Sequence, residues 1–138
     1  YIEVPRGNGK SSLSSGVALY CLVADREPGA EVYSFATTRD QAGIVFGDAK
    51  VMAQKCAALR KKFGLEVLAH SLYVKDTNST FQAKSAEGST LDGLNTHLAI
   101  IDELHAHKTR DAPLVYHHSG FQYFWHLLRS TNNGAKGA

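Results

Sequence analysis

Two short segments of this sequence carry residue types that together bind phosphates and activate water. Arg6-Gly7-Asn8-Gly9-Lys10-Ser11 connects an apolar run to a helical pattern, and a glycine-bearing turn before a helix offers backbone N–H groups to phosphate oxygens. Asp102-Glu103 follows the apolar run 98–101, which is typical of a buried parallel strand. Open α/β sheets bind ligands at the carboxyl ends of their strands. The two segments therefore predict one nucleotide-hydrolysing site.

The first segment suits a nucleoside triphosphate with its metal ion. Lys10 would place its ammonium group against the β- and γ-phosphates, and Ser11 would offer its hydroxyl to Mg²⁺. The glycines keep side chains away from the phosphates, and Asn8 tolerates a left-handed backbone. Val4 stands where the usual phosphate loop has a glycine, and the alternative is a strand-to-helix turn without a ligand. The predicted nucleotide-binding residues are Arg6, Gly7, Asn8, Gly9, Lys10, Ser11 and Ser12.

The acidic pair suits two different tasks, because adjacent residues at a strand end point to different sides. Asp102 would hold the Mg²⁺ ion, and Glu103 would orient and deprotonate the attacking water. The alternative is that both carboxylates are only the polar end of a buried strand.

Composition favours one globular domain: 138 residues, of which 43% are hydrophobic and 20% charged. The net charge of +2 does not by itself indicate a nucleic-acid partner, and we interpret Arg60-Lys61-Lys62 as cations at a helix end.

Cys21 and Cys56 fall on apolar faces of predicted helices, as buried reduced thiols do. With no signal peptide or membrane-spanning segment in the sequence, they indicate a cytoplasmic protein without a membrane partner. The start at Tyr1 suggests a piece of a longer protein.

Strand and helix patterns alternate along the chain, which predicts an α/β fold with a mostly parallel sheet and helices on both faces. The first helix would bury Leu13, Val17, Tyr20, Cys21 and Ala24. A second, long helix would begin at a Thr38–Gln41 capping box and continue to Gly64. Strands are predicted at 31–36 and 65–70, a hairpin at 73–84, and a polar connection at 85–95.

Four segments together resemble the ATPase domain of tailed-phage terminase large subunits. They are Val4-Pro5-Arg6-Gly7-Asn8-Gly9-Lys10-Ser11, Ala36-Thr37-Thr38-Arg39-Asp40-Gln41-Ala42, Leu91-Asp92-Gly93-Leu94-Asn95 and Ile100-Ile101-Asp102-Glu103-Leu104-His105-Ala106. The loop without a glycine at Val4 is itself typical of that family. The resemblance implies a truncated P-loop NTPase fold of the RecA/ASCE type, with a partial ATPase domain at 1–111. We expect 112–138 to be a divergent tail that caps the sheet or is disordered, and the family's nuclease domain to be absent.

The resemblance also implies a function. The family hydrolyses ATP to drive double-stranded DNA into procapsids, with a terminase small subunit, a capsid portal and a homo-oligomeric ring as partners, in the host bacterial cytoplasm. By position, Lys10 and Ser11 match its phosphate and metal contacts, and Asp102 and Glu103 match its metal-binding acid and catalytic base. Arg6 matches a loop arginine that would stabilise charge on the γ-phosphate. The catalytic residues are thus predicted to be Glu103, Lys10 and Arg6, with Ser11 and Asp102 on Mg²⁺.

Two other functions stay open from the sequence. Asp102-Glu103-Leu104-His105 also fits the acidic motif of helicases, which indicates a helicase-like DNA translocase. A prophage remnant that binds nucleotide without turnover is the other. In the tail, Ser130-Thr131 is the nearest candidate for the family's coupling motif, and Tyr123-Phe124-Trp125 is typical of core. The spacing of His105, His107, His117 and His118 does not favour a metal site.

Overall fold

The computed structural model describes residues 2–3, 9–36, 38–85, 96–101 and 123–128. These residues form seven strands and three helices. The strands are β1 (Ile2–Glu3), β2 (Glu31–Ala36), β3 (Leu65–Val67), β4 (Leu72–Val74), β5 (Ser79–Ser85), β6 (Thr96–Ile101) and β7 (Tyr123–Leu128). The helices are α1 (Lys10–Val23), α2 (Arg39–Lys55) and α3 (Ala57–Phe63). Within this part of the chain, no helix is long and apolar enough to cross a membrane.

All seven strands belong to one sheet, in the order β1-β7-β6-β2-β5-β4-β3. The five strands from β1 to β5 in that order run parallel, while β4 is antiparallel to both β5 and β3. All six residues of β6 are buried, as are five of the six in β2. Central parallel strands are covered on both faces, which is why residues 98–101 form a continuous apolar run and apolar residues predominate in β2. The prediction of a mostly parallel α/β sheet is confirmed.

Helices α1 and α2 pack on each other and on the same face of the sheet. Val32, Phe81 and Leu98 point into this helix-covered layer, and the Ser34 hydroxyl donates to the Ala42 carbonyl across it at 2.9 Å. The opposite face is also buried, at Tyr33, Phe35, Ala99 and Ile101. The described helices thus cover one face, and helices on the other face stay a prediction that the described residues do not test.

The buried face of α1 differs from the prediction. Leu13 and Tyr20 are 52% and 62% exposed. The buried residues are Ser14, Ser15, Ala18, Leu19, Cys21, Leu22 and Val23. Apolar periodicity missed this face because two serines begin it. Their hydroxyls bond to carbonyl oxygens one turn earlier, so the serines are buried as small, satisfied side chains.

The long second helix is two helices. Thr38 caps α2 as predicted, because its side chain accepts a hydrogen bond from the Gln41 N–H at 3.3 Å. Cys56, with φ −102° and ψ 86°, then interrupts the helix, and α3 begins at the next residue, Ala57. No proline or glycine lies at the break, so no local signal predicts it. Cys56 is exposed, and its predicted burial is wrong.

The segment after α3 confirms the predicted hairpin and shortens the predicted strand. Gly64 ends α3 in the left-handed region, with φ 61°, as its sequence position predicts. Strand β3 covers three residues rather than six, because the Leu68 N–H bonds to the Ser71 carbonyl in a tight turn. Strands β4 and β5 then pair on either side of residues 75–78.

Residues of the predicted tail contribute a strand to the sheet. Tyr123–Leu128 forms β7, which lies between β1 and β6 and is parallel to both. The division of the chain at residue 111 stays a prediction, and so does the role of Ser130-Thr131, which lies outside the described residues.

Candidate functional site

The amino end of α1 has the features of a helix end that can bind an anion. Gly9 is the N-cap residue, in a left-handed conformation (φ 69°, ψ 20°) that favours glycine. Among the described residues no side chain caps this end, and the first turn contains no acidic residue. The first N–H groups of a helix have no partner within it, and the helix dipole makes this end positive. An anion bound here would accept hydrogen bonds from these N–H groups and would be attracted by the positive end of the dipole.

Three of the predicted site residues form the first turn of α1. Lys10 and Ser11 are half-buried and Ser12 is exposed, so the ammonium group and the first hydroxyl lie on consecutive residues beside the helix N-terminus. Arg6, Gly7 and Asn8 lie outside the described residues. The structure therefore brings together the carboxyl half of the predicted loop.

Topology places the end of β6, which the second segment follows in the sequence, at the same edge of the sheet as the end of β1. Strands β1, β7 and β6 are parallel neighbours, so their carboxyl ends lie at one edge. With one strand between them, β1 and β6 are about 10 Å apart. Asp102 and Glu103 follow Ile101, the last residue of β6, and lie outside the described residues. The strand ends from which both predicted segments extend are thus on the same side.

Two buried serines hold the first turn of α1 in place. The Ser14 hydroxyl donates to the Lys10 carbonyl at 2.7 Å. The Ser15 Oγ lies 2.7 Å from the Ser11 carbonyl oxygen and 2.7 Å from the carbonyl oxygen of Val45 in α2. Its single proton is shared between a contact within α1 and a contact to α2. The role of these serines is not predictable from the sequence, since a small polar residue in a helix carries no burial signal.

A basic cleft opens at this same edge, beyond β2. It is a cavity of about 340 Å³ lined by Arg39, His70, Ser71, Gln82, Ala83, Lys84 and Ser85. Arg39 begins α2 after β2 ends, and Lys84 lies near the end of β5, which is parallel to β2. The Lys84 ammonium lies 5.2 Å from the ring centre of Tyr33. An adjacent cavity of about 600 Å³ shares Arg39 and His70.

A second cluster lies at the other end of α1 and was missed by the sequence analysis. Nε2 of His97 lies 2.7 Å from Oδ2 of Asp25, and Cys21 lies beside both. Burial and the charge of Asp25 raise the pKa of the Cys21 thiol to about 11. The only sequence signal was the four-residue spacing of Cys21 and Asp25, since His97 is 72 residues away from Asp25.

Comparison with known proteins agrees with this geometry. The family model described as "Terminase large subunit, ATPase domain" matches residues 1–135. The chain belongs to the ATPase domain family of terminase large subunits. Among curated proteins, the terminase large subunit of Enterobacteria phage HK97 is 34% identical over 103 residues, which are 74% of this chain and 20% of that protein. The chain thus spans about one fifth of that relative.

Solved structures of terminases share the fold of this ATPase domain. The crystal structure of the HK97 bacteriophage large terminase matches with a TM-score of 0.74 and 27% identity, over 92% of this chain and 28% of that one. The large terminase ATPase domain of Thermus phage P74-26 matches with a TM-score of 0.65 and 25% identity, over 92% of this chain and 57% of that one. A variant of the P74-26 domain matches with a TM-score of 0.65 and 26% identity, over 95% of this chain and 58% of its own.

Proposed function

We propose that this chain binds ATP with Mg²⁺ and hydrolyses it, as part of a motor that drives double-stranded DNA into phage procapsids. The observation that carries the proposal is the amino end of α1, where left-handed Gly9 precedes Lys10 and Ser11 in the first turn and no described side chain forms a cap. This end of the helix lies in a chain of the terminase ATPase family, whose model matches residues 1–135.

The residues at this helix end fit a nucleotide with its metal ion. The oxygens of a triphosphate are anionic hydrogen-bond acceptors. The backbone N–H groups can donate hydrogen bonds to them, and the Lys10 ammonium group can donate and also supplies a positive charge. The Ser11 hydroxyl is a neutral oxygen ligand of the kind that Mg²⁺ accepts together with phosphate oxygens. Bound Mg²⁺ would neutralise charge that develops on the phosphates. Gly7, Asn8, Gly9 and Ser12 would complete the contacts to the nucleotide, and Arg6 would stabilise charge on the γ-phosphate.

The acidic pair would complete the site from β6, with Asp102 on the metal and Glu103 as the base that takes a proton from the attacking water. The strand register supports this. Ile101 is level with His126 of β7, whereas Glu3 is level with Leu128. Two further residues after Ile101, in the same register, would reach the level at which β1 ends and the phosphate loop begins.

We propose the basic cleft at Arg39, His70 and Lys84 as a contact surface for the phosphates of double-stranded DNA. Its cations, with the hydroxyls of Ser71 and Ser85, are the groups that hold a nucleic-acid backbone without reading its sequence. The full-length parent would act with a small subunit and a capsid portal, as a homo-oligomeric ring in the cytoplasm of the host bacterium. Ser130-Thr131, which follow β7, would couple hydrolysis to movement.

The test is steady-state MgATP hydrolysis with and without double-stranded DNA. We expect turnover that Lys10→Ala abolishes and that Lys61→Ala leaves unchanged. Lys61 is the matched control, since it is an exposed cation on α3, which packs against β3 at the opposite end of the strand order from β1. Equal turnover in the chain and in Lys10→Ala would contradict hydrolysis at this site.

The DNA part of the proposal has its own variant. Lys84→Ala should reduce stimulation by DNA while leaving DNA-independent turnover unchanged, because Lys84 lies in the cleft beyond β2 and not at the α1 N-terminus. Stimulation that Lys84→Ala does not alter would overturn the cleft as the DNA contact. Binding of ATP without turnover would instead favour a nucleotide-binding remnant, and strand separation by the full-length parent would favour a helicase.

A further inference from the structure

We propose that Cys21, Asp25 and His97 form a binding site for one zinc-class divalent cation. The site lies at the sheet edge opposite the proposed nucleotide site. Helix α1 begins at the carboxyl edge and its 14 residues carry the chain about 20 Å towards the other edge, where β6 begins. The proposal is independent of the proposed ATPase function.

A β-bulge directs His97 towards α1. Glu31 of β2 is paired with Thr96, but the next residue, Val32, is paired with Leu98, so His97 is an extra residue in β6. A bulge breaks the strict alternation of side chains and often re-aims one of them. The imidazole of His97 is 4% exposed and reaches Asp25 just beyond the end of α1. The irregularity in the central sheet thus serves to bring a buried histidine to this cluster.

The donor atoms are close to the spacing that a metal requires. The Cys21 Sγ, a carboxylate oxygen of Asp25 and a ring nitrogen of His97 all lie within 4.8 Å of one another. Zinc binds nitrogen and oxygen at about 2.0–2.2 Å and sulfur at about 2.3 Å, so tetrahedral ligands are roughly 3–4 Å apart. Small side-chain rotations would bring the three atoms onto one ion.

Charge and burial favour a cation here. A divalent cation would displace the thiol proton of Cys21 into solvent, and the resulting thiolate and the Asp25 carboxylate would supply two negative charges that the cation neutralises. The carboxyl end of α1 adds the negative end of a helix dipole, and no basic residue lies in its last turn. Asp25 is therefore an acid at the end of a helix that repels acids. A cation held by Asp25 and Cys21 offsets that repulsion.

The ligand types select the metal. Sulfur and imidazole ligands suit Zn²⁺ and not Mg²⁺, which prefers oxygen ligands. Cys21 and His97 are 7% and 4% exposed, whereas the Asp25 side chain is 29% exposed. The open side at Asp25 leaves room for a water as fourth ligand. Because Cys21 and Asp25 belong to α1 and its end, and His97 to β6, a bound ion would fasten this helix to this strand.

The experiment uses Co²⁺ as a spectroscopic substitute for Zn²⁺, added to the reduced chain. Thiolate ligation gives a sulfur-to-cobalt charge-transfer band in the near ultraviolet. We expect this band at one equivalent of Co²⁺ in the chain and in Cys56→Ser, and its loss in Cys21→Ser. Cys56 is the matched control because it is the other cysteine, exposed at the break between α2 and α3. Absence of the band from the chain, or a band that survives Cys21→Ser, would overturn the proposal.

A second measurement guards against a variant that folds poorly. Competition of Zn²⁺ with a chelating dye should give an affinity that His97→Gln and Asp25→Asn each reduce by at least about tenfold, as the loss of a ligand must. Added Zn²⁺ should also raise the thermal unfolding midpoint of the chain, because only the folded state holds the three ligands together. If Cys21→Ser, His97→Gln and Asp25→Asn all leave the Zn²⁺ affinity unchanged, the ion binds at other histidines, and this result would contradict the site.

Discussion

Ser15 should contribute more to stability than its neighbour Ser14, although the two side chains are equally buried. Ser15 is 0% exposed and Ser14 is 1% exposed. Each hydroxyl lies 2.7 Å from the carbonyl oxygen four residues earlier in α1. Only Ser15 also lies 2.7 Å from the Val45 carbonyl oxygen, and this contact joins α1 to α2. Ser14→Ala is therefore a matched control for Ser15→Ala.

The expected difference follows from the contact to α2. Both substitutions remove a hydroxyl within α1 and gain the same helix propensity, which favours alanine over serine. Only Ser15→Ala loses a bond between helices, and a buried hydrogen bond contributes about 0.5–1.5 kcal/mol net. For 138 residues the unfolding entropy is about 0.3 kcal/mol/K, so the melting temperature of Ser15→Ala should be about 2–5 °C below that of Ser14→Ala.

Thermal and urea denaturation, followed by circular dichroism, measure both variants against the unsubstituted chain. Equal melting temperatures for Ser14→Ala and Ser15→Ala would refute the reasoning. They would mean that the hydroxyl proton of Ser15 stays within α1 and that the contact to Val45 contributes nothing. The same result would remove the argument that α2 fixes the first turn of α1, which holds Lys10 and Ser11.

Three further predictions concern stability. Phe81→Ala removes a fully buried ring whose centre lies 5.5 Å from that of Phe46, in an edge-on arrangement. The substitution should lower the free energy of unfolding, measured in urea, by about 3–5 kcal/mol, and a loss below about 1 kcal/mol would contradict this core position. Gly64→Ala, at φ +61°, should cost about 1 kcal/mol, whereas Gly16→Ala, in open space within α1, should gain roughly 0.5–1 kcal/mol. The opposite order of melting temperatures would contradict the left-handed conformation of Gly64 and the helical position of Gly16. Burial and Glu31 raise the pKa of Tyr33 from 10.0 to about 12. The folded state therefore holds this proton more tightly than the unfolded state, and the free energy of unfolding should fall as pH rises from about 10 towards 12. An equally steep fall in Tyr33→Phe would exclude Tyr33 as the cause.

Local signals in the sequence predicted the parts of the fold that local chemistry decides. Strand β2 was predicted at its observed bounds, Glu31–Ala36, because a segment rich in β-branched and aromatic residues lies between turn and helix-cap signals. Thr38 and Gly64 were recognised because helix caps depend on residue type. The turn at 75–78 contains Asn78 at φ 54°, a conformation that asparagine tolerates.

The errors lie where tertiary packing decides. Nothing in the sequence near Cys56 interrupts the helical pattern, yet α2 ends there and α3 begins, and Leu59 and Phe63 of α3 pack against the core. Serines 14 and 15 are buried because α1 and α2 approach closely, which no periodicity in apolar residues shows. Tertiary contacts override intrinsic preference at both places.

The two candidate sites also differ in how far local sequence predicts them. The order of Gly9, Lys10 and Ser11 indicates a phosphate-binding helix end from the sequence alone, since the chemistry lies on consecutive residues. The cluster of Cys21, Asp25 and His97 depends on two chain segments and on a bulge in β6. A residue pairing over such a distance follows from the sheet register, which a single sequence does not give.

Equilibrium binding of MgATP, measured by titration calorimetry on the chain and on Lys10→Ala and Lys61→Ala, tests the central claim most directly. The account predicts one binding site, affinity at least about tenfold weaker in Lys10→Ala because a charged contact to phosphate is lost, and unchanged affinity in Lys61→Ala. Equal affinity in the chain and in Lys10→Ala would contradict the assignment of the α1 N-terminus as the nucleotide site.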